Sequence, residues 1–295
     1  MRVNPNPIPD LLAALNQSQL ETQQASLEIS SGRSVNQPSD NPTAFAELVE
    51  NNDQATINNG YLQSIGTVQG QLSTADSTLS SVTSALQQAL SLGVEAASGT
   101  LSASNQAAIT VQLQGIQTQL VSEANTTYEG HYIFAGTATN TTPFVVDNTA
   151  PSGVRYVGNT DINQVSAGSG YKLSVNLPGS QLFSATGNDV FLAINNLIAA
   201  VQSNSGIGAA VNAVSTASSY LSAQRVFYGN AIDQAQSQTT YLTAAQLQIT
   251  QQQSALGGAD IALAATNLTQ SETDTQATLA AISKMTQDNL FDYLK

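Results

Sequence analysis

The spacing of apolar residues predicts long helices in two parts of the chain. Residues 43–142 and 179–295 contain no proline, and a proline inside a helix costs about 3 kcal/mol. In the first stretch, apolar or small residues recur at alternating intervals of three and four, which keeps them on one face of a helix. They are Ile65, Val68, Leu72, Ala75, Leu79, Val82, Leu86, Ala89, Gly93 and Ala96. A second helix is predicted over residues 109–124, after a reversal at residues 98–102.

The C-terminal part of the chain carries a longer stripe with the same spacing. It runs from Val214 to Leu256 and includes Gln224, Gln238 and Gln252, polar positions that weaken packing but can fix its register. Two consecutive glycines interrupt it, and a last stripe continues to the C-terminus. The N-terminal stripe is poorer in apolar residues. Because isolated helices are marginal in water, we expect both ends to be loose in the monomer and to become ordered on assembly.

The middle of the chain has a different pattern. Short β-like runs at residues 144–146, 154–157 and 171–177 are separated by Pro, Gly and Asn turn signals. We therefore predict a mainly α fold, a long coiled-coil-like helical bundle formed by the N- and C-terminal halves, with a small β-rich inserted domain. The predicted domains are 1–42 (N-terminal assembly helix and turn), 43–136 (helical bundle, N-terminal half), 137–187 (β-rich insert), 188–256 (helical bundle, C-terminal half) and 257–295 (C-terminal assembly helix).

The charge balance excludes several classes of function. The 295 residues include 20 acidic and 7 basic side chains, for a formal net charge of −13. A surface this acidic repels phosphate, which argues against nucleic-acid binding, and no basic stretch is present to hold anionic lipid. The chain has no apolar run of about 18 residues that would predict a membrane span. Its N-terminus lacks the apolar segment of a standard secretory signal.

Candidate catalytic chemistry is sparse. The chain has no cysteine and a single histidine, His131, which excludes thiolate chemistry and any metal site within one chain that needs two histidines. A catalytic His131 would need a nucleophile and an orienting acid, and we interpret it instead as a surface or interface residue. Residues 147–148 and 161–163 resemble fragments of calcium loops, but the rest of that pattern is missing. We predict no enzyme activity and no catalytic, cofactor-binding or metal site.

Residues 36–42 predict a turn that leads into a helix. The segment reads Asn36-Gln37-Pro38-Ser39-Asp40-Asn41-Pro42. Short polar side chains cap helix N-termini, and either Asp40 or Thr43 is the predicted N-cap. A catalytic role for Asp40 is the weaker interpretation.

Several segments resemble bacterial flagellins and the junction proteins related to them. The segments are residues 28–42, 92–102, 259–262, 267–270 and 289–294. The first contains the family-motif residues Ser31, Gly32, Asn36, Pro38, Ser39, Asp40 and Pro42. Three features are similar to the junction proteins in particular: Tyr-Ile-Phe-Ala-Gly at 132–136, Thr-Thr-Pro-Phe at 141–144 and Phe-Asp-Tyr-Leu at 291–294. The prolines at 5, 7 and 9 depart from the family pattern.

The resemblance implies a structural subunit of the bacterial flagellum rather than an enzyme. It implies an adaptor at the hook–filament junction that polymerises through its terminal helices, with hook-associated protein 1 below it, flagellin above it, and copies of itself in a ring or tube. It also implies secretion from the cytoplasm through the flagellar type III apparatus, with an export chaperone on the C-terminal helix. Two alternatives stay open: a filament flagellin, and a cytosolic coiled-coil scaffold.

The apolar residues of the two terminal helices are the predicted assembly interface. Both helices carry apolar stripes that a single chain does not have enough surface to cover, so association and ordering are expected to be coupled. The predicted interface residues are Leu20, Leu27, Ile261, Leu268, Leu279, Ile282 and Leu290.

Overall fold

The computed structural model describes residues 8–98 and 102–293, with side chains described as far as Met285. The helices are α1 (Ile8–Ser31), α2 (Pro42–Ala96), α3 (Ala103–Ala124), α4 (Gly179–Phe183), α5 (Val190–Ser203), α6 (Ile207–Gly257) and α7 (Ile261–Tyr293). The strands are β1 (Thr127–Tyr128), β2 (His131–Tyr132), β3 (Phe144–Val146), β4 (Val154–Tyr156), β5 (Gln164–Gly168) and β6 (Tyr171–Ser174). The mainly α fold with a small β region is confirmed. Residues 99–101, the centre of the predicted reversal, and the prolines at 5 and 7 lie outside the described residues.

The chain forms two compact units. The first consists of residues 1–57 and 244–295, and the second of residues 58–243. In the second unit all ten residues of the predicted α2 stripe are buried, and so are the apolar positions of α3 at Ile109, Leu113, Ile116, Leu120 and Ala124. The alternating three–four spacing therefore identified the core of this unit, because it kept the same side chains on one face over many turns.

The predicted stripe on α6 holds only in part. Val214, Leu221 and Tyr228 are fully buried, and the glutamines at 224 and 238 are half-buried. Gln252, which belongs to the first unit, is exposed, so its placement on the same seam is wrong. Ile249 and Leu256, the neighbouring members of the stripe, are buried and half-buried, so the stripe keeps its apolar side chains covered here while its polar member faces solvent.

The β region of the second unit consists of three separate antiparallel pairs. The pairs are β1–β2, β3–β4 and β5–β6, where one small sheet was expected. The pair β1–β2 precedes the predicted start of the insert at residue 137. Its two-residue turn is Glu129-Gly130, and both residues have positive φ (50° and 82°), as a type I′ hairpin turn requires.

An aromatic cluster packs the β region against the helices of the same unit. The ring of Phe144 lies 5.1 Å from those of Tyr156 and Phe191 and 5.5 Å from that of Phe183. Phe134 meets Phe183 edge to face at 5.2 Å. The four phenylalanines are buried, so they supply this region with a core that its short strands alone would not provide.

Two polar side chains of the second unit satisfy backbone groups that would otherwise be unpaired. The hydroxyl oxygen of Tyr228 accepts a hydrogen bond from the backbone N–H of Leu177 at 3.2 Å, and burial raises the pKa of this tyrosine. Asp189 caps α5 and accepts from the N–H of Leu192 at 2.8 Å. Burial raises the pKa of Asp189, and the hydrogen bond opposes that shift.

Candidate assembly interface

The terminal helices α1 and α7 pack against each other through hydroxyl groups. Ser18 Oγ and Thr275 Oγ1 share a hydrogen bond of 2.6 Å, and Thr22 Oγ1 donates to Ser271 Oγ at 3.0 Å. As the residue number rises by four along α1, the number of the partner residue on α7 falls by four, so the two helices are antiparallel. Ser18 and Ser271 are buried. We call these four residues the hydroxyl seam.

The same register places small residues opposite larger ones along the rest of the contact. Ala25 then faces Leu268, and Ile29 faces Ala264. Both alanines are buried, and the two larger residues are half-buried. Hydroxyl and alanine side chains bury little apolar area, so the hydrophobic stabilisation of this helix pair is small.

Each hydroxyl of the seam also has an acceptor in its own helix. Thr22 Oγ1 and Thr275 Oγ1 lie 2.8 Å from the carbonyl oxygens of Ser18 and Ser271, which can accept their protons when the bond between the helices is broken. The serines have the same option, toward Leu15 at 3.4 Å and Leu268 at 3.0 Å. Separating α1 from α7 therefore leaves no hydroxyl of the seam without an acceptor. The free energy that an unsatisfied hydroxyl would cost does not oppose separation of the two helices.

The leucines of α1 lie on a different face from the hydroxyl seam. Leu12, Leu20 and Leu27 are 47%, 61% and 48% exposed. At 3.6 residues per turn they fall within about 80° of one another, on the side of α1 roughly opposite to its contact with α7. Leu20 and Leu27 also line a cleft of about 900 Å³ together with Glu21, Glu28 and Asp40. α1 thus has one face of small residues and another of leucines with neighbouring carboxylates.

The predicted interface residues of α7 fall into two groups. Ile261 and Leu279 are 47% and 49% exposed, whereas Leu268 and Ile282 are half-buried on the side that faces α1. Leu290 lies within α7, but its side chain is outside those that the structure describes. The structure therefore brings two of the predicted residues to the α1–α7 contact and leaves four, Leu20, Leu27, Ile261 and Leu279, on the outside of the first unit.

The motif residues that follow α1 connect its end to the start of α7. Gly32 ends the helix with a positive φ of 68°, a conformation that glycine adopts without strain. Its carbonyl accepts from the N–H of Ala259 at 3.1 Å, and the N–H of Ser34 donates to the carbonyl of Gly257 at 2.8 Å. We call this antiparallel bridge between residues 32–34 and 257–259 the clasp. Ser31 supports it, since its Oγ accepts from the N–H of Arg33 at 3.1 Å.

Asp40 holds the turn rather than the helix. Its carboxylate accepts from the backbone N–H groups of Asn36 at 2.9 Å and Gln37 at 3.0 Å. The hydrogen bond from Asn36 is the largest reason that the pKa of Asp40 lies below its ordinary value. Pro38 and Ser39 form the exposed part of the same turn.

The prediction of Asp40 or Thr43 as the N-cap of α2 is wrong. Asn41 is the cap, because its Oδ1 accepts from the N–H of Ala44 at 3.1 Å. Pro42 is the first residue of the helix, where its missing N–H costs nothing and its fixed φ is suitable. The asparagine just before this proline is therefore the cap, and Asp40 is free to bind the turn.

A small groove lies beside the clasp in the first unit. Its volume is about 500 Å³, and its lining includes Arg33, Phe45, Leu48 and Val49. Leu48 is buried and Val49 is 48% exposed. Gly257 allows α6 to approach closely here, since a Cβ at that position would lie 2.9 Å from Leu48 Cδ1.

The residues considered for other chemistry have structural partners. His131 is exposed on β2, and its Nδ1 lies 3.1 Å from Asn140 Oδ1. Asp147 accepts from the N–H of Thr149 at 3.0 Å and pairs with Arg155 Nε at 3.3 Å. Within residues 8–98 and 102–293 no three His, Asp or Glu side chains come together as a metal site. In the same ranges, no helix combines the length and hydropathy that crossing a membrane would require.

The hydroxyl seam is the feature of the α1–α7 contact that the apolar pattern missed. Serine and threonine are not part of a hydrophobic stripe, and they are common throughout this chain. The available signal was their spacing: Ser18 and Thr22 are four residues apart, as are Ser271 and Thr275, which places each pair on one helix face.

Comparison with curated proteins finds two flagellar relatives. Flagellar hook-associated protein 3 of Escherichia coli (strain K12) is 31% identical over 186 residues, which cover 63% of this chain and 55% of the relative. The protein of the same name from Salmonella typhimurium is 36% identical over 134 residues, which cover 45% and 42%. The chain thus spans about half the length of the curated relatives it matches.

Comparison with solved structures shows the same fold. A candidate flagellar hook-associated protein from Vibrio parahaemolyticus is 20% identical with a TM-score of 0.67, over 73% of this chain and 98% of that one. FlgL of Xanthomonas campestris is 17% identical with a TM-score of 0.61, over 68% and 98%.

Comparison with protein families matches both ends of the chain. The bacterial flagellin N-terminal helical region matches residues 9–139, and the bacterial flagellin C-terminal helical region matches residues 205–294. Together the matches cover about three quarters of the sequence and include α1, α7 and the clasp that joins them. The chain belongs to the bacterial flagellin family.

Proposed function

We propose that this chain is a structural subunit of the bacterial flagellum, an adaptor at the hook–filament junction that polymerises through its terminal helices. The observation that carries the proposal is the exposure of Leu20, Leu27, Ile261 and Leu279 on helices that already pair with each other through a different face. Both curated relatives are named flagellar hook-associated protein 3, which supports the junction over the filament.

The geometry favours head-to-tail assembly. The leucines of α1 lie opposite the hydroxyl seam, whereas Ile261 and Leu279 lie at the side of α7, about 60° from its buried face. A contact between two different surfaces is heterologous, and heterologous contacts build rings or tubes. Covering these side chains with neighbouring copies would supply hydrophobic stabilisation that the monomer lacks.

The other parts of the chain have roles that follow from this arrangement. Residues 1–42 and 257–295 serve assembly, residues 43–136 and 188–256 form the helical bundle, and residues 137–187 form the insert. The neighbours are hook-associated protein 1 below and flagellin above. The chain is exported from the cytoplasm by the type III apparatus, with a chaperone on its C-terminal helix, and it acts without enzyme activity. The hydroxyl seam supports loose ends in the monomer, because it buries little apolar area.

The test is complementation in a motile bacterium that lacks its own junction protein. We expect the full chain to restore swimming and to be found by immunogold microscopy as a short band at the base of each filament. Label along the whole filament would mean a filament flagellin, and label confined to the cytoplasm would mean a scaffold. Deletion of residues 261–295 should abolish incorporation. If the deleted protein still enters flagella normally, the terminal helices do not mediate assembly.

A further inference from the structure

We propose that the groove beside the clasp is the docking site for α1 of a second copy of this chain. Arg33 of one copy would bind the carboxylates of Glu21 and Glu28 of the next, while Leu20 and Leu27 enter the groove. The inference rests on the proposed polymerisation and names the surfaces that meet.

Arg33 has an unusual electrostatic position. It is the only Lys or Arg between residues 3 and 154 in a chain of net charge −13. Two other arginines pair within the chain, Arg225 with Asp76 at 2.9 Å and Arg155 with Asp147 at 3.3 Å. Arg33 makes no such ion pair with any of the described residues, and its side chain is exposed. It is also the one charged residue in the lining of the groove.

Part of the lining of the groove is apolar, and this part would receive the leucines of the guest helix. Phe45 is half-buried, Leu48 is buried, and Val49 is 48% exposed. The rest of the lining is largely polar and consists of Arg33, Asn36, Asn52, Thr250, Gln253, Ser254 and glycines. A cation beside apolar side chains is complementary to a helix that carries leucines next to carboxylates, and amphipathic helices dock into grooves in this way.

α1 is such a helix. Leu20 and Leu27 are one heptad apart, and Glu21 and Glu28 form a second row about 100° around the helix. The leucine row faces away from the hydroxyl seam, whereas the glutamate row flanks it, where Glu21 and Glu28 border Asn267 and Gln270 of α7. α1 can therefore keep its contact with α7 while a neighbouring copy covers the leucines. Apart from Asn36, which borders both, the groove and the cleft beside the leucines are lined by different residues, so a contact between them is head-to-tail.

A charge exchange tests the pairing. We would measure the critical concentration for assembly on added flagellar fragments at low salt, for Arg33→Glu, for Glu21→Lys with Glu28→Lys, and for the two sets combined. We expect each set alone to raise the critical concentration at least tenfold, and the combination to return it to within threefold of wild type. Lys172→Glu, an exposed charge change on β6 in the second unit, is the matched control and should have no effect.

Cross-linking gives an independent readout, because the chain has no cysteine of its own. A mixture of Leu20→Cys and Val49→Cys proteins should form a disulfide-linked heterodimer at assembling concentrations, whereas Leu20→Cys mixed with Val111→Cys should not. Failure of the charge exchange to restore assembly, or absence of the heterodimer, overturns the docking site if wild type still assembles. If wild type itself does not assemble, polymerisation is refuted and the docking site with it.

Discussion

Replacing both exposed leucines of α1 with glutamine should weaken assembly without weakening the monomer. The exposed fractions of Leu20 and Leu27, 61% and 48%, together amount to about one whole side chain. Burying one leucine contributes about 1.5–3 kcal/mol. If neighbouring copies cover both residues, the double variant should raise the dissociation constant of the contact roughly 10- to 150-fold.

The assay is the critical concentration for assembly, measured by sedimentation, with thermal unfolding of the monomer followed by circular dichroism. Because both side chains are exposed in the monomer, its free energy of unfolding should change by less than about 0.5 kcal/mol. Val111→Gln with Val226→Gln is the matched control, since these valines are 66% and 60% exposed in the second unit. A critical concentration within twofold of wild type for the leucine variant, or an equal rise for the control, would refute the reasoning.

Three further predictions concern polar side chains. Tyr228→Phe removes the acceptor for the buried N–H of Leu177, and should lower the free energy of unfolding by about 1–3 kcal/mol in urea titrations. The pKa of Asp40 is lowered from its ordinary 3.8, so its contribution to stability is present above that pH and is lost as the pH falls through the lower folded value. In the Asp40→Asn variant, the melting temperature of the first unit should therefore depend less on pH below pH 4 than it does in wild type. The pKa of Asp189 is raised from 3.8, so the folded state binds the proton of this carboxyl more tightly than the unfolded state does, and stability falls as the pH rises through the raised value. The Asp189→Asn variant keeps an acceptor for the N–H of Leu192 and should melt at the same temperature as wild type at pH 7 or at a higher one.

Each of these predictions has a matched comparison. Tyr241→Phe changes a tyrosine that is 66% exposed and should leave unfolding unchanged; a loss as large as that of Tyr228→Phe would contradict the role given to the buried hydroxyl. Asp53→Asn, on the exposed surface of α2, should keep the acid dependence that Asp40→Asn removes. Asp189→Ala should cost about 1 kcal/mol through loss of the cap, and an Asn variant that is equally destabilised would show that the charge itself is needed.

The core of the second unit could be predicted from the sequence because its signal is repeated many times. From Ile65 to Ala96 the same apolar spacing recurs over a single uninterrupted helix, and one misplaced residue would not have changed the conclusion. The same spacing did not predict the exposure of Gln252, which lies between the buried Ile249 and the half-buried Leu256 of the same stripe. Apolar periodicity therefore predicts that a segment is helical more reliably than it predicts whether one polar residue of the stripe is buried or exposed.

The local details depended on single hydrogen bonds that composition does not reveal. Asp40 and Asn41 are adjacent residues, and both are good N-caps; only the position of Pro42 at the first turn separates their roles. The β1–β2 turn places Glu129 at positive φ, a conformation that glutamate does not suggest. In the candidate interface, the leucines could be found from their apolar character, but their outward direction depends on where Ser18 and Thr22 meet α7.

The clasp and the hydroxyl seam together set the order in which the terminal helices would come apart under load. The clasp joins the end of α1 to the start of α7 by main-chain hydrogen bonds, and the chain termini lie at the other end of the pair. A force on the two free ends would break the contacts one layer at a time, with the Ser18–Thr275 bond failing before the Thr22–Ser271 bond. Separation in this order breaks only a few side-chain contacts at each step. It ends at the clasp, where main-chain hydrogen bonds join the two helices. The terminal helices can therefore yield and reclose while their roots stay joined.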